Sequence, residues 1–301
     1  MINNSQQNSR RDRDFIPPKV RRERIVHRPE SHMKHPLQLL KDMGRDLLAS
    51  RDLAWRLLVR DISAKYRQSF LGIFWAFAPA VIMAAGFTLA KGSGVVNINA
   101  TDLPYPAYVT FSMTLWQTFV EALNGPIQAV TSAKPMLSRI NFPREALIIA
   151  KLGEVFFNFG IKLILIFGLF IWFKVPVTWN AILAPVALIH LVLLGTFLGM
   201  LLAPIGALYN DFAMGITLLT GFWLFLTPVV YPVPSEGIFG SIVKFNPVTP
   251  LLVTTRELAT TGILSNAQGF WVVSLIAIVG ILVAWVIYRL AIPYVVERMS
   301  S

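Results

Sequence analysis

Lys151, Glu154, Asn158 and Lys162 stand three, four and four residues apart inside an otherwise apolar stretch of this chain. On a helix that spacing puts all four on one face. Lys162 lies about ten residues from either end of its apolar run, too deep to reach water by extending its stem. An ionisable group at such depth faces protein or water, never lipid. Two chemistries fit. The stripe is either a polar wall meeting a charged part of a substrate, or an interhelical ion-paired seam with Glu121 or Asp211 as the counter-charge.

Other chemistry-bearing patterns are sparse. The chain has no Cys, which excludes disulfides and thiolate metal sites, and three of its four His lie in the polar N-terminal stretch. No GxxxxGK[ST], HExxH or GxSxG motif occurs, so the sequence predicts no nucleotide site, no metal and no catalytic centre in this chain. Aromatic residues are plentiful. Phe74, Trp75 and Trp223 can stack on sugar rings along a path, or face lipid or the core.

The elements that must position these groups are membrane helices. Hydrophobic residues make up 55% of the 301-residue chain and charged ones only 14%, well under the ~25% of soluble domains. Six apolar runs near the ~20 residues needed to cross hydrocarbon are expected at about 70–90, 105–123, 152–173, 181–203, 212–230 and 270–288. The fold class predicted is an all-α integral membrane protein with six transmembrane helices over 69–290.

Before them, residues 1–35 read as a disordered basic tail with no apolar core of a signal peptide, so the first run is expected to act as an uncleaved anchor. Residues 36–68 read as an amphipathic helical region lying in the membrane interface, with a break near Ser50. Residues 291–301 read as a short tail. Residues 1–70 hold 16 of the 27 Lys and Arg, and Lys134, Arg139, Arg144, Lys151, Arg289 and Arg298 fall on the same side of a six-span topology. The opposite side holds only Lys91, Lys174, Lys244 and Arg256. Both termini are therefore expected in the cytoplasm, and the basic charge is expected to meet anionic lipid rather than nucleic acid.

Two segments stand out at that basic side. RDISAKYRQSFLGIFWAFAP, at 60–79, carries Arg60, Asp61, Tyr66, Arg67 and Gln68 straight into the first span. KPMLSRINFPRE, at 134–145, is a loop in which Pro135 and Pro143 can bracket a short helix. Its apolar Met136 and Phe142, set among Lys134, Arg139, Arg144 and Glu145, read as a docking surface.

These segments, with YND at 209–211, TPVVYP at 227–232 and NPVTP at 246–250, resemble in order and spacing the permease subunit of ABC-2 type polysaccharide exporters; Asn210 stands where that family often has Arg. The resemblance implies a type V exporter-like permease fold and an inner-membrane location. It implies two copies of this chain pairing with two copies of a separate ABC ATPase that holds ATP and magnesium, and a lipid-linked O-antigen, capsular or related glycan as cargo. It makes the N-terminal amphipathic region the interface helix, 134–145 the coupling segment, the segment between the fifth and sixth spans a gate, and the first and fifth spans channel walls. Another amphipathic cargo, a membrane-embedded glycosyl or acyl transferase, and a structural membrane subunit are the alternatives.

Overall fold

The computed structural model describes residues 36–67, 72–98, 101–137, 142–209, 211–234 and 236–300. The N-terminal tail, Gln68, Arg139 and Asn210 lie outside the described residues. Every regular element among the described residues is a helix. In chain order they are α1 (Pro36–Ala49), α2 (Arg51–Arg67), α3 (Phe74–Gly92), α4 (Tyr105–Ser132), α5 (Lys134–Leu137), α6 (Glu145–Trp172), a 3-10 turn (Trp179–Leu183), α7 (Ala184–Leu208), α8 (Asp211–Phe225), α9 (Gly237–Phe245), α10 (Val248–Ala259) and α11 (Ala267–Ser300). By compactness the chain divides into two units, residues 1–45 and residues 46–301, and the second holds all the helices from α2 onward.

Four helical stretches of that second unit are long and apolar enough to cross a bilayer: Phe74–Gly92, Glu145–Trp172, Trp179–Leu208 and Ala267–Arg298. The other two expected spans differ, for separate reasons. α4 has 28 residues, ample length, but its sequence is too polar. It can be polar because it is the central helix: 20 of its residues are buried, and α3, α6 and α7 all pack on it. Its threonines satisfy themselves, the hydroxyls of Thr110, Thr114 and Thr118 each donating to the carbonyl four residues back. α8 is apolar but has only 15 residues, about 22 Å of helix, and it ends at Phe225, short of the expected boundary at 230.

α4 and α7 approach closely because α7 presents glycines to α4. A Cβ placed on Gly199 would overlap the Leu123 carbonyl oxygen, and one on Gly195 would sit 2.8 Å from that of Phe119. Small residues at a four-residue interval let membrane helices meet backbone to backbone.

At one end of the bundle, α2, the end of α4, α5, the start of α6 and the last turns of α11 share an apolar cluster that includes Leu57, Ala133, Leu137, Leu147, Tyr288, Ile292 and Val295. α11 runs through this cluster without a break. At the other end the segment after α8 is pinned to α4: Tyr105 donates to the Val230 carbonyl at 3.0 Å and Tyr108 to that of Tyr231 at 2.9 Å.

Candidate functional site

The polar stripe of α6 becomes one continuous ladder in the folded chain, with rungs from α2 and α4. Lys162 is fully buried, and its Nζ lies 2.5 Å from Glu121 Oε1 on α4. Asn158, one turn nearer the basic end, donates from Nδ2 to Glu121 Oε2 at 3.0 Å. The Asn158 carbonyl oxygen accepts from the Tyr66 hydroxyl at 3.0 Å and from Lys65 Nζ at 3.5 Å, both on α2. Lys65 also reaches Glu154 Oε1 at 3.1 Å. Glu154 Oε2 accepts from Lys151 at 2.8 Å, and Lys151 pairs with Asp61 on α2 at 3.3 Å. Arg60 closes the outer end on Asp61 at 2.8 Å.

Burial grades along this ladder. Side-chain exposure is 62% at Arg60, 16% at Glu154 and 0% at Lys162. The outer rungs are therefore screened and weak, whereas separating Lys162 from Glu121 carries a large penalty. Burial pushes the Tyr66 phenol up from its ordinary value, with Lys65 opposing, so the hydroxyl stays a donor at neutral pH. Glu121, one of the two counter-charges considered from sequence, takes the pair; Asp211 stands at the start of α8.

A second joint lies at the same end of the bundle. Glu145, the first residue of α6, is buried and accepts from Trp285 Nε1 at 3.3 Å and from Arg289 at 3.4 Å, both on α11. Arg289 also pairs with Asp46 near the end of α1. Arg144 and Pro143 immediately precede this helix, and burial lowers the Arg144 guanidinium from its ordinary value. Lys134, Pro135 and Met136 lie in the four-residue α5. Phe142 and Met136 pack on the apolar cluster that joins α2, α5, α6 and α11. The residues of 134–145 that are described thus sit on α6 and α11 beside α2, not in isolation.

The aromatic candidates do not converge. Phe74 and Trp75 are exposed on α3, edge-to-face with one another at 6.2 Å. Trp223 on α8 instead packs edge-on against Trp116 and Phe119 of α4, at 6.3 and 5.4 Å. Its Nε1 donates to Asn246 Oδ1 at 3.0 Å. Arg67 is exposed at the end of α2.

Two positioning residues carried no role from sequence alone. Asn246 is buried and clamps the segment after α8, donating to the Leu226 carbonyl and the Thr227 hydroxyl and accepting from Trp223 and the Val248 amide. Arg256 is buried with its guanidinium 4.2 Å from the Tyr108 ring centroid, donating to Ser112 and to the Pro228 carbonyl. Asn246 is the first residue of NPVTP and Arg256 follows that motif by six residues, which was the available signal.

Comparison with known proteins agrees with the architecture. The sequence pattern of the ABC-2 type transporter membrane family matches residues 52–259. The chain is 24% identical to the O-antigen export system permease protein RfbA of Myxococcus xanthus over 238 residues, covering 78% of this chain and 90% of that protein.

Proposed function

The chain belongs to the ABC-2 type transporter membrane family, and on that premise we propose that it is the membrane subunit of an ATP-driven exporter of a lipid-linked polysaccharide. In this reading α3, α4, α6, α7, α8 and α11 are its six spans in the inner membrane, and both termini are cytoplasmic. α4 crosses as the polar centre of the bundle, and α8 crosses together with the irregular segment that follows it. Two copies form the path, and ATP and magnesium are held by two copies of a partner ATPase.

The observation that carries the proposal is the convergence of α2, α5 and the start of α6 at one basic end of the bundle. A chain without a nucleotide motif needs an external source of work, and that end offers a compact, mixed apolar and basic surface next to helices that cross the membrane. The direction of cargo movement and its glycan nature are supported by the name of the Myxococcus relative and by the 60–79 motif.

The test is deletion of the chain in its native cell. Surface polysaccharide is expected to vanish while its lipid-linked precursor accumulates in the membrane. Normal surface polysaccharide would refute the cargo.

A further inference from the structure

Beyond Trp116, α4 is covered on every side but one. From 117 to 130 the positions that reach the surface are Gln117, Val120, Glu121, Asn124 and Gln128. Four of these five are polar, at intervals of four, three and four, so they share a narrow stripe about 16 Å long along the axis. The stripe is on the side of α4 turned away from α7, whose glycines meet Phe119 and Leu123. On α6 and α11 the exposed faces are apolar, as Ile164, Phe167 and Ile171 on α6 and Leu275 and Leu282 on α11 show.

The amides of this stripe do not hold the fold together. Asn124 donates to its own Val120 carbonyl. Among the described residues, none bonds the Gln117 or Gln128 amide. Gln117 and Glu121 fall inside the 105–123 run expected to cross the bilayer, where polar side chains facing hydrocarbon are costly, and Asn124 and Gln128 carry the same face on past its basic end, so the stripe faces a wet space or another protein surface. It starts near the middle of α4 and runs toward the basic end, where Glu121 joins it to Asn158 and Tyr66. Uncharged amides on a helix face offer paired donors and acceptors at short intervals. That suits a hydroxyl-rich chain sliding past, because no single contact is strong enough to hold it.

We propose that Gln117, Asn124 and Gln128 form a sugar-contacting wall of the translocation path. This rests on the exporter reading and locates its cargo surface on α4, with Lys162 behind the wall rather than in it. Glu121 belongs to the wall's geometry but is engaged by Lys162.

The chain's lack of cysteine makes the test direct. Q117C, N124C, Q128C and the lipid-facing control I164C are each placed in the full chain in native membranes. They are then treated with the membrane-impermeant reagent 2-sulfonatoethyl methanethiosulfonate. The three stripe positions are expected to react at least tenfold faster than the control, since thiolate forms only where water reaches. The Q117L/Q128L double variant is expected to lower surface polysaccharide more than tenfold at unchanged chain level. Stripe labelling no faster than the control, disulfide dimers formed through Q128C (a seam between copies), or undiminished export by Q117L/Q128L would each overturn the wall. Failure of the exporter reading shows separately, as normal surface polysaccharide in cells lacking the chain.

Discussion

Lys162 and Glu121 form a cross-helix ion pair in which the lysine is fully enclosed while the carboxylate keeps a third of its surface accessible. The asymmetry sets the outcome of breaking the pair from either side. Removing Glu121 strands a buried ammonium, which costs about 3–5 kcal/mol. Removing Lys162 leaves a carboxylate that water and Asn158 can still serve. E121A is therefore expected to lower chain abundance and unfolding temperature sharply, K162M much less, and K162M/E121Q to recover most of the E121A loss. K162M is expected to retain export per molecule. Tryptophan-fluorescence melts in detergent and a surface-glycan assay read both; export abolished in K162M at normal chain level would put Lys162 in the path.

The outer rungs differ in strength from the inner one. Asp61 and Lys151 meet at 3.3 Å with about a fifth of each side chain exposed. Their link is expected to contribute at most about 1 kcal/mol and to weaken with salt. D61K and K151D should each destabilise slightly, with the double variant closer to wild type. A double-mutant cycle on unfolding temperature measures this, and strict additivity would show that the two do not interact.

The α4–α7 contact leaves no room for a side chain. G199V is expected to abolish accumulation of the chain, because the added Cβ meets backbone that cannot move alone. G86A on α3 has open space around it and should be tolerated. Immunoblots of membrane fractions give the comparison directly.

Replacing Phe142 and Arg144 together should weaken association with the ATPase without removing the chain from the membrane. Glu145 is a different matter. Its carboxylate holds Trp285 and Arg289, so E145A is expected to loosen the joint between α6 and α11 and lower thermal stability as well. Co-purification and melting curves on the same preparations separate the two effects.

Much of this was legible in residue order. The α6 stripe was visible as spacing, because helical periodicity brings positions three and four apart together whatever the tertiary structure. The choice of Glu121 over Asp211 was not, since it depends on which helix packs against α6. α4 is where residue order and structure part: it reads as an apolar run at 105–123, yet as a 28-residue helix it is too polar to count among the spans by composition, because a helix wrapped by its neighbours no longer needs apolar side chains and its Thr hydroxyls bond back to its own carbonyls. Its polar stripe at 117, 121, 124 and 128 is helically spaced, yet only the burial of every other face gives that spacing a meaning. The roles of Asn246 and Arg256 were invisible because most of their hydrogen-bond partners lie 19 to 144 residues away.

Dependence on a separate motor is tested most directly by affinity purification of the tagged full-length chain from its native membrane, with identification of what accompanies it. An ABC ATPase in roughly equal amount is the expected result. Intact, folded chain recovered with no ATPase would contradict the exporter assignment.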